Sequence, residues 1–193
     1  MKRESRMFAA GMGAALAVGW LGLPRLLYQR EAQPLQFSHV VHTETAGQSC
    51  TDCHRFDADG RFLGIPALET CAACHSEPLG DSADEQRLVQ DFIRPGREIP
   101  WRVYARQPDL TWFPHAQHVR LAELACERCH GPQGRSDHLR AFERDRVSGY
   151  SRDVWGRNVA GFATAEWDGM KMGDCSSCHR EHHVTESCLD CHK

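Results

Sequence analysis

The residues with the greatest capacity for chemistry are ten cysteines, and all of them fall into one repeated motif. Each pair is spaced C-x-x-C and is followed at once by a histidine. Positions i, i+3 and i+4 of a helix share one face, so a single helical turn would present two thiols and an imidazole together. The pattern is typical of c-type haem attachment, in which the thiols form thioethers with the porphyrin and the histidine binds the iron. The five motifs, called motifs 1 to 5, are Cys50–His54, Cys71–His75, Cys126–His130, Cys175–His179 and Cys188–His192.

Paired cysteines have three other common uses, and the histidines weigh against each. Structural zinc sites contain C-x-x-C pairs, a redox C-x-x-C needs a thioredoxin-like βαβ context that is not apparent here, and disulfides place no requirement on the next residue. A histidine at this offset in all five motifs therefore predicts five covalent haem c groups. The predicted thioether cysteines are Cys50, Cys53, Cys71, Cys74, Cys126, Cys129, Cys175, Cys178, Cys188 and Cys191. The predicted proximal iron ligands are His54, His75, His130, His179 and His192.

Seven histidines remain as candidates for the opposite, distal side of each iron. Two H-x-x-H pairs each follow a phenylalanine and end eight residues before a motif, and two adjacent histidines follow motif 4. His138 has no comparable pattern and is interpreted as a surface residue. The predicted distal ligands are His39, His42, His115, His118, His182 and His183.

Imidazole on both sides of an iron suits electron transfer, because it leaves no open position for a substrate. Five irons need five distal ligands, so seven candidates leave two over. Those two could be ordinary surface residues or could hold a sixth haem without thioethers. Met170 and Met172 precede motif 4, where a methionine ligand would raise the haem potential, but packing is the simpler interpretation.

The two H-x-x-H pairs belong to an internal repeat. Residues 37–54 recur without a gap as residues 113–130. The offset is a constant 76 residues, so Phe37 is equivalent to Phe113. The match includes the phenylalanine, both histidines, one alanine and the whole C-x-x-C-H motif. So many scarce residue types in register indicate one ancestral unit used twice.

The F-x-H-x-x-H element before C-x-x-C-H resembles the class III multihaem cytochromes. In that family the first histidine binds the haem of the following motif and the second binds a neighbouring haem. The resemblance implies that His39 serves motif 1 and His115 serves motif 3, whereas His42 and His118 cross to other haems. Five motifs and an N-terminal apolar segment depart from that family.

Residues 7–28 predict a transmembrane anchor helix. The run from Met7 to Leu23 carries no charge, and the extension to Tyr28 admits only Arg25. At about 1.5 Å per residue this stretch reaches roughly 33 Å, enough to span a bilayer. A cleaved signal peptide is the alternative, although no A-x-A site ends the apolar run. The charges on the two sides differ little, so the orientation follows from the haems, which are expected on the periplasmic side.

The predicted organisation is a cytoplasmic stub at 1–6, the anchor at 7–28, a linker at 29–36 and a periplasmic pentahaem domain at 37–193. The predicted fold is mostly α and irregular, a class III-like multihaem cytochrome c with little regular secondary structure. Leu, Ile, Val and Phe are scarce in the pentahaem domain, so haem faces would replace much of a conventional core. The net charge of −3 argues against a nucleic-acid partner.

Four segments between the motifs have their own patterns. We expect a turn at 60–66, a short amphipathic helix at 84–93 ended by Pro95-Gly96, and a short strand at 97–104. Residues 131–169 are interpreted as a long surface excursion, either a cover for a haem edge or a docking surface. Its arginines would neutralise haem propionates, steer a redox partner or simply be solvated; they are Arg135, Arg140, Arg144, Arg146, Arg152 and Arg157.

The anchor, the five outward-facing haems and the ending from Met170 to Lys193 resemble one type of subunit. It is the multihaem cytochrome subunit of alternative complex III and of the related menaquinone reductase (Qrc) complex. The resemblance implies an inner-membrane, single-pass subunit that passes electrons between a periplasmic carrier, such as a soluble cytochrome, and the quinone pool. Its partners would be an iron–sulfur/molybdopterin-like periplasmic subunit and polytopic membrane subunits that bind quinone.

Two other functions remain open on sequence alone. A quinol dehydrogenase of the NapC/NirT type would also be anchored, but it typically has four haems and a motif closer to the anchor. A multihaem reductase would need an open iron position. A lysine in place of a motif histidine would favour a reductase, and none of the five motifs has one.

Overall fold

The computed structural model describes residues 2–22, 26–151 and 171–192. In these residues the chain is mostly helical and irregular, with a single two-stranded sheet, which confirms the predicted class at that level. The α-helices are α1 (Lys2–Ala17), α2 (Cys50–Cys53), α3 (Leu68–Ala72), α4 (Ala83–Arg87), α5 (Cys126–His130), α6 (Met172–Glu181) and α7 (Cys188–Cys191). Wider π-helical turns span Val18–Gly22, Val41–Thr45, Leu88–Ile93 and Ala116–Leu121, and a 3₁₀ turn spans Gln133–Arg135.

The predicted anchor begins inside a helix. α1 covers Lys2–Ala17 and continues as the π-helical turn Val18–Gly22. Residues 23–25, within the predicted span, lie outside the described residues. In the described part of the chain, no helix combines the length and the apolar character needed to cross a bilayer.

The chain divides into two compact units. The first comprises residues 1–31, 103–108 and 142–187, and the second comprises 32–102, 109–141 and 188–193. Motif 4 belongs to the first unit, and motifs 1, 2, 3 and 5 belong to the second.

A small antiparallel sheet organises the first unit. Strand β1 (Tyr28–Glu31) pairs with β2 (Phe142–Asp145), with Tyr28 opposite Asp145. Phe142 is buried, and the Tyr104 ring lies 6.2 Å from it between centroids. The predicted linker therefore starts as a strand, and part of the predicted excursion returns to form its partner.

The second unit has a small apolar core beside motif 2. Leu35, Leu68, Phe92 and Ile99 are buried together, and the Cys71 side chain packs against them. The predicted helix at 84–93 is confirmed as α4 followed by the π-helical turn Leu88–Ile93, which buries Phe92. Over the described residues the buried apolar side chains number six, in keeping with the scarcity of large apolar residues in the sequence.

The predicted strand at 97–104 is wrong, because this segment is irregular. The Gln33 side-chain amide donates to the Arg102 carbonyl at 2.9 Å, and its oxygen accepts from the Arg102 N–H at 3.0 Å. One buried glutamine thus satisfies the polar backbone groups of Arg102, in the way a strand partner would.

Candidate functional site

Each C-x-x-C-H motif closes one helical turn, as its spacing predicts. The N–H groups of His54, His75 and His192 donate to the carbonyl of the first cysteine of their own motifs at 2.8–2.9 Å. Motif 3 coincides with α5, and motif 4 lies inside α6. In every motif the two thiols and the imidazole therefore leave one turn of chain together.

Acidic side chains stabilise the starts of several of these turns. The Ser49 N–H donates to the Asp52 carboxylate at 2.6 Å before motif 1, and the Lys171 N–H donates to Asp174 at 2.9 Å before motif 4. Negative charge at a helix N-terminus also interacts favourably with the positive end of the helix dipole. The chain thus forms short, capped turns at positions where its apolar core is too small to impose them.

The two F-x-H-x-x-H elements have the same internal geometry. Phe37 stacks on His42 with ring centroids 4.2 Å apart and planes at 22°, and it meets His39 edge-on at 4.9 Å. Phe113 makes the corresponding contacts in the second repeat at 4.3 Å and 4.8 Å. The phenylalanine therefore fixes both imidazole planes of its element.

The second histidine of each element has its Nδ1 nitrogen occupied. His42 Nδ1–H donates to the Ser38 carbonyl at 2.8 Å, and His118 Nδ1–H donates to the Pro114 carbonyl at 3.0 Å. A carbonyl partner at Nδ1 selects the tautomer in which Nε2 carries the lone pair that binds a metal. Both side chains are therefore oriented as ligands would be.

His115 and the predicted proximal His130 face each other as two ligands of one metal would. Their ring centroids are 6.3 Å apart and their planes differ by 2°. Two imidazoles whose nitrogens each lie about 2 Å from one ion have ring centres about 6 Å apart. Burial lowers the pKa of both histidines, which favours the neutral form that binds a metal.

His42 is paired with the proximal histidine of another motif. Its ring centroid lies 6.0 Å from that of His75, with the planes at 51°. The separation again suits one ion between two imidazoles. The class III resemblance sends His42 to a neighbouring haem without naming it, and the geometry points to motif 2.

His39 lies near His54 in motif 1. Burial lowers the pKa of His39, and the His54 imidazole lowers it further. His39 Nδ1 binds the Ser136 hydroxyl at 2.9 Å, and His54 Nδ1–H donates to the Gly64 carbonyl at 2.8 Å. Both rings therefore keep Nε2 for a metal, and the predicted turn at 60–66 supplies one of the two Nδ1 partners.

These paired imidazoles fit a haem rather than a bare ion. A porphyrin contributes four nitrogens of its own, so its iron needs two protein ligands, one on each face. A structural zinc site needs four protein ligands, and among the described residues no three His, Cys, Asp or Glu side chains converge on a common point. The donor sets found here suit haem c with histidine on both sides.

Motifs 1, 2 and 3 are neighbours in the second unit. Burial raises the pKa of the Cys126 thiol, and the adjacent Cys50 thiol raises it further. The pKa of the Cys71 thiol is likewise raised by burial and then by Cys53. Motif 1 therefore has a cysteine near motif 3 and a cysteine near motif 2.

Motif 5 lies beside the start of the second repeat. Thr111 forms an isolated antiparallel bridge with His192, and the Trp112 N–H donates to the Cys191 carbonyl at 2.8 Å. The last motif is therefore fixed next to Phe113, where the second F-x-H-x-x-H element begins.

Motif 4 has a carboxylate partner for its proximal histidine. His179 Nδ1 lies 2.6 Å from the Glu186 carboxylate. His182 and His183 directly follow α6 and are exposed, and His183 has a positive φ of 56°. Both histidines follow motif 4 closely in the sequence. Within the described residues, neither has a ring-to-ring contact with a proximal histidine of the kind seen for His115 and His42.

The remaining sequence-predicted residues are peripheral where they are described. His138 is exposed and its Nδ1 contacts the Asp137 carboxylate, in agreement with its interpretation as a surface residue. Arg135 and Arg144 pair at 3.9 Å with Glu127 and Glu31 respectively. Met170, Arg152 and Arg157 lie outside the described residues, and Met172 is exposed.

Sequence reasoning missed the partners of the imidazole Nδ1 atoms. Ser136, Gly64, Glu85 and Glu186 all hold ligand-type histidines. Gly64 and Glu85 lie in segments with a recognisable turn or helix pattern. For Ser136, 97 residues from His39, the sequence offers no signal.

Comparison with known proteins agrees with this geometry. No family model matches the chain. It is 34% identical, over an alignment of 201 positions, to the menaquinone reductase multihaem cytochrome c subunit of Nitratidesulfovibrio vulgaris; the alignment covers 96% of this chain and 89% of the relative. Identity at this level over nearly the whole of both chains shows common descent, so the chain belongs to the family of menaquinone reductase multihaem cytochrome c subunits.

Proposed function

We propose that this protein is a membrane-attached, periplasmic cytochrome with five covalent haems. It passes electrons between a periplasmic redox partner and the quinone pool as one subunit of a respiratory quinone oxidoreductase complex. The relative's name, a subunit of menaquinone reductase, supports the complex and the quinone. The observation that carries the proposal is the parallel His115–His130 pair, 6.3 Å between centroids.

Bound haem c supplies an iron that takes up and releases one electron. The chain's part is to hold each iron between two imidazoles, so that no coordination site remains for a substrate. The pairs proposed are His39 with His54, His42 with His75 and His115 with His130. For motif 5 we propose His118, because the 111–112 segment pairs with that motif immediately before Phe113. For motif 4 the candidates are His182 and His183.

Close spacing of the motifs supports a path for electrons within the second unit. Cys126 neighbours Cys50, and Cys53 neighbours Cys71, so motifs 3, 1 and 2 follow one another. Electrons move between cofactors that the protein holds at short, fixed distances, and the protein's task is to set spacing and ligation. A periplasmic carrier, such as a soluble cytochrome, would exchange electrons at one end of this path.

The ligation is tested on the full chain made in a host that attaches c-type haem. We expect five haem equivalents that stay with the polypeptide after acid–acetone extraction, together with a wholly low-spin iron spectrum. Extractable haem beyond the five would identify a sixth group without thioethers. A high-spin signal that shifts with added carbon monoxide would instead indicate an open site, as in a multihaem reductase, and zinc without haem would end the proposal.

The proposed anchor is tested by fractionation of the same cells. The full chain is expected to remain in the inner-membrane fraction after alkaline carbonate washing, together with companion subunits identified by mass. Leu16→Arg places a charge in the apolar run, where it costs about 3 kcal/mol in a bilayer, and should release the protein. Glu4→Gln, outside the run, is the matched control. Release of the unaltered chain by carbonate would contradict attachment through residues 7–28.

A further inference from the structure

The predicted proximal histidines differ in what accepts their Nδ1 proton. His54 donates to a backbone carbonyl, that of Gly64, at 2.8 Å. His75 is hydrogen-bonded instead to a carboxylate oxygen of Glu85 at 2.7 Å. The two histidines belong to neighbouring motifs with the same C-x-x-C-H sequence. The acceptor is therefore a difference between two otherwise similar sites.

Glu85 is held firmly in this position. One carboxylate oxygen accepts from the Leu79 N–H at 2.8 Å as well as facing His75, and the other accepts from the Gly80 N–H at 3.0 Å. Only 15% of its side chain is exposed, and 18% of the His75 side chain. The partner of His75 is therefore a fixed anion.

A carboxylate and a carbonyl affect an imidazole differently. An anionic acceptor makes the shorter, charge-assisted hydrogen bond and draws the Nδ1 proton further from the ring. Electron density then rises at Nε2, the atom that would bind iron, and the ligand becomes more basic. A more basic ligand stabilises the ferric state over the ferrous state, and outer hydrogen bonds of this kind are among the means by which a protein sets haem potential.

We propose that Glu85 is a positioning residue that lowers the reduction potential of the motif 2 haem below that of the motif 1 haem. This rests on the proposed ligation of haem by His75. Electrons entering the run of motifs 3, 1 and 2 would then meet an energetic step at its far end, set by one side chain outside the coordination sphere. The C-x-x-C-H sequence itself contributes nothing to that step, because both motifs share it.

The test is a redox titration of the full holoprotein, with Glu85→Gln compared with the unaltered chain. The amide keeps the shape of the side chain and removes its charge. We expect one of the one-electron steps to move to higher potential by a tenfold change in its reduction equilibrium, about 59 mV, and the others to stay in place. The His42–His75 planes meet at 51°, against 2° for His115–His130, so low-spin EPR signals should separate the motif 2 haem from that of motif 3.

The matched control is Asp84→Asn. Asp84 is the neighbour of Glu85 on α4, and its contact is with Arg87 at 3.4 Å rather than with a histidine. The Asp84→Asn substitution removes the same charge without touching an iron ligand. We therefore expect it to shift the reduction potential by much less than Glu85→Gln does. An equal shift in both variants would show a general charge effect and overturn the proposal.

A second variant guards against loss of structure. Glu85→Asp keeps the charge but withdraws it by one methylene, and it should move the same step upward by less than Glu85→Gln does. If both Glu85 variants retain five low-spin haems and neither moves a step, Glu85 does not set the potential. If the unaltered chain lacks covalent haem, the proposed function itself has failed, and the haem content measured before titration tells the two failures apart.

Discussion

The two repeats share their internal geometry and differ in what contacts their first histidine. In the first repeat, His39 binds the hydroxyl of Ser136, a residue that follows the second repeat. In the second repeat, the His115 ring stacks at 4.3 Å on Phe62, a residue that follows the first repeat. Each repeat is thus completed by the segment that follows the other. A polar contact serves one histidine and an aromatic contact serves its counterpart.

Equivalent residues of the two repeats also lie near each other. Cys50 is close to Cys126, and His54 contributes to the lowered pKa of His130. The two repeats therefore lie close to each other within the second unit.

The largest effect should come from removing a distal histidine. Because each substitution should change a different haem, this test distinguishes the two repeats most clearly. His115→Ala should leave the iron of motif 3 with one protein ligand, and His42→Ala should do the same at motif 2. Each variant should convert one haem in five to a high-spin, carbon monoxide-binding form, as measured by absorption and EPR spectra. His138→Ala, which removes an exposed histidine, should leave all irons low-spin. A wholly low-spin spectrum for His115→Ala would contradict the His115–His130 pairing.

Phe62→Ala should destabilise the second repeat more than the first. The substitution removes the close stack on His115 at 4.3 Å and the contact with Phe56 at 5.1 Å, whereas the stack that it removes from His54 in the first repeat is longer, at 6.5 Å. A half-buried aromatic pair of this kind is worth about 1–3 kcal/mol in burial and ring contact together. Denaturant unfolding measures the loss, and spectra of the distal-ligand environment should change at motif 3. The control is Val147→Ala, an exposed apolar position in the first unit; an equal loss there would contradict the assignment.

Ser136→Ala should have a smaller effect, confined to the first repeat. The serine hydroxyl donates to the Gln133 carbonyl at 2.7 Å and can accept from His39 Nδ1–H at 2.9 Å. Loss of one such bond costs about 1 kcal/mol, and it frees the His39 ring to rotate. Denaturant unfolding and the EPR signal of motif 1 measure the two effects. Ser148→Ala in the first unit is the control. A change at motif 3 instead of motif 1 would break the reciprocal arrangement.

The smallest effect should be a pH dependence of the free energy of unfolding that arises from Asp57, in the turn that leads to Phe62. Hydrogen bonds from Arg61 lower the pKa of Asp57 below its ordinary value of 3.8. The folded state therefore favours the carboxylate, so its stabilisation is fully present above pH 3.8 and is lost as the pH falls through the folded pKa. The difference in unfolding free energy between Asp57→Asn and the unaltered chain, compared from pH 6 to pH 3, should narrow once the pH falls below 3.8. A gap that widens on acidification would contradict this sign.

The sequence predicted features that depend on near neighbours along the chain. The helical turn of each motif follows from the i, i+3, i+4 spacing alone, and the helix at 84–93 follows from its apolar periodicity. The small core follows from the scarcity of large apolar residues. These features need no knowledge of the tertiary structure.

Features that depend on distant residues were not predictable from the sequence. The partner of His42 is set by how the chain brings motif 2 to the first repeat, and a single sequence does not encode that in any local pattern. The segment expected as a strand at 97–104 is irregular, and its Arg102 backbone pairs with the side chain of Gln33, 69 residues away, instead of with a strand. Local propensity was outweighed there by a tertiary hydrogen bond.

The reciprocal contacts have a consequence for biosynthesis. A nascent chain emerges from its N-terminus, so His39 appears 97 residues before the hydroxyl that orients it. Until Ser136 emerges, the His39 ring lacks its hydroxyl partner, and until His115 emerges, Phe62 lacks the ring that stacks on it at 4.3 Å. A product truncated between the two repeats would lack both Ser136 and His115, so its first repeat would stay incomplete and open to proteolysis, and cellular quality control would favour full-length molecules.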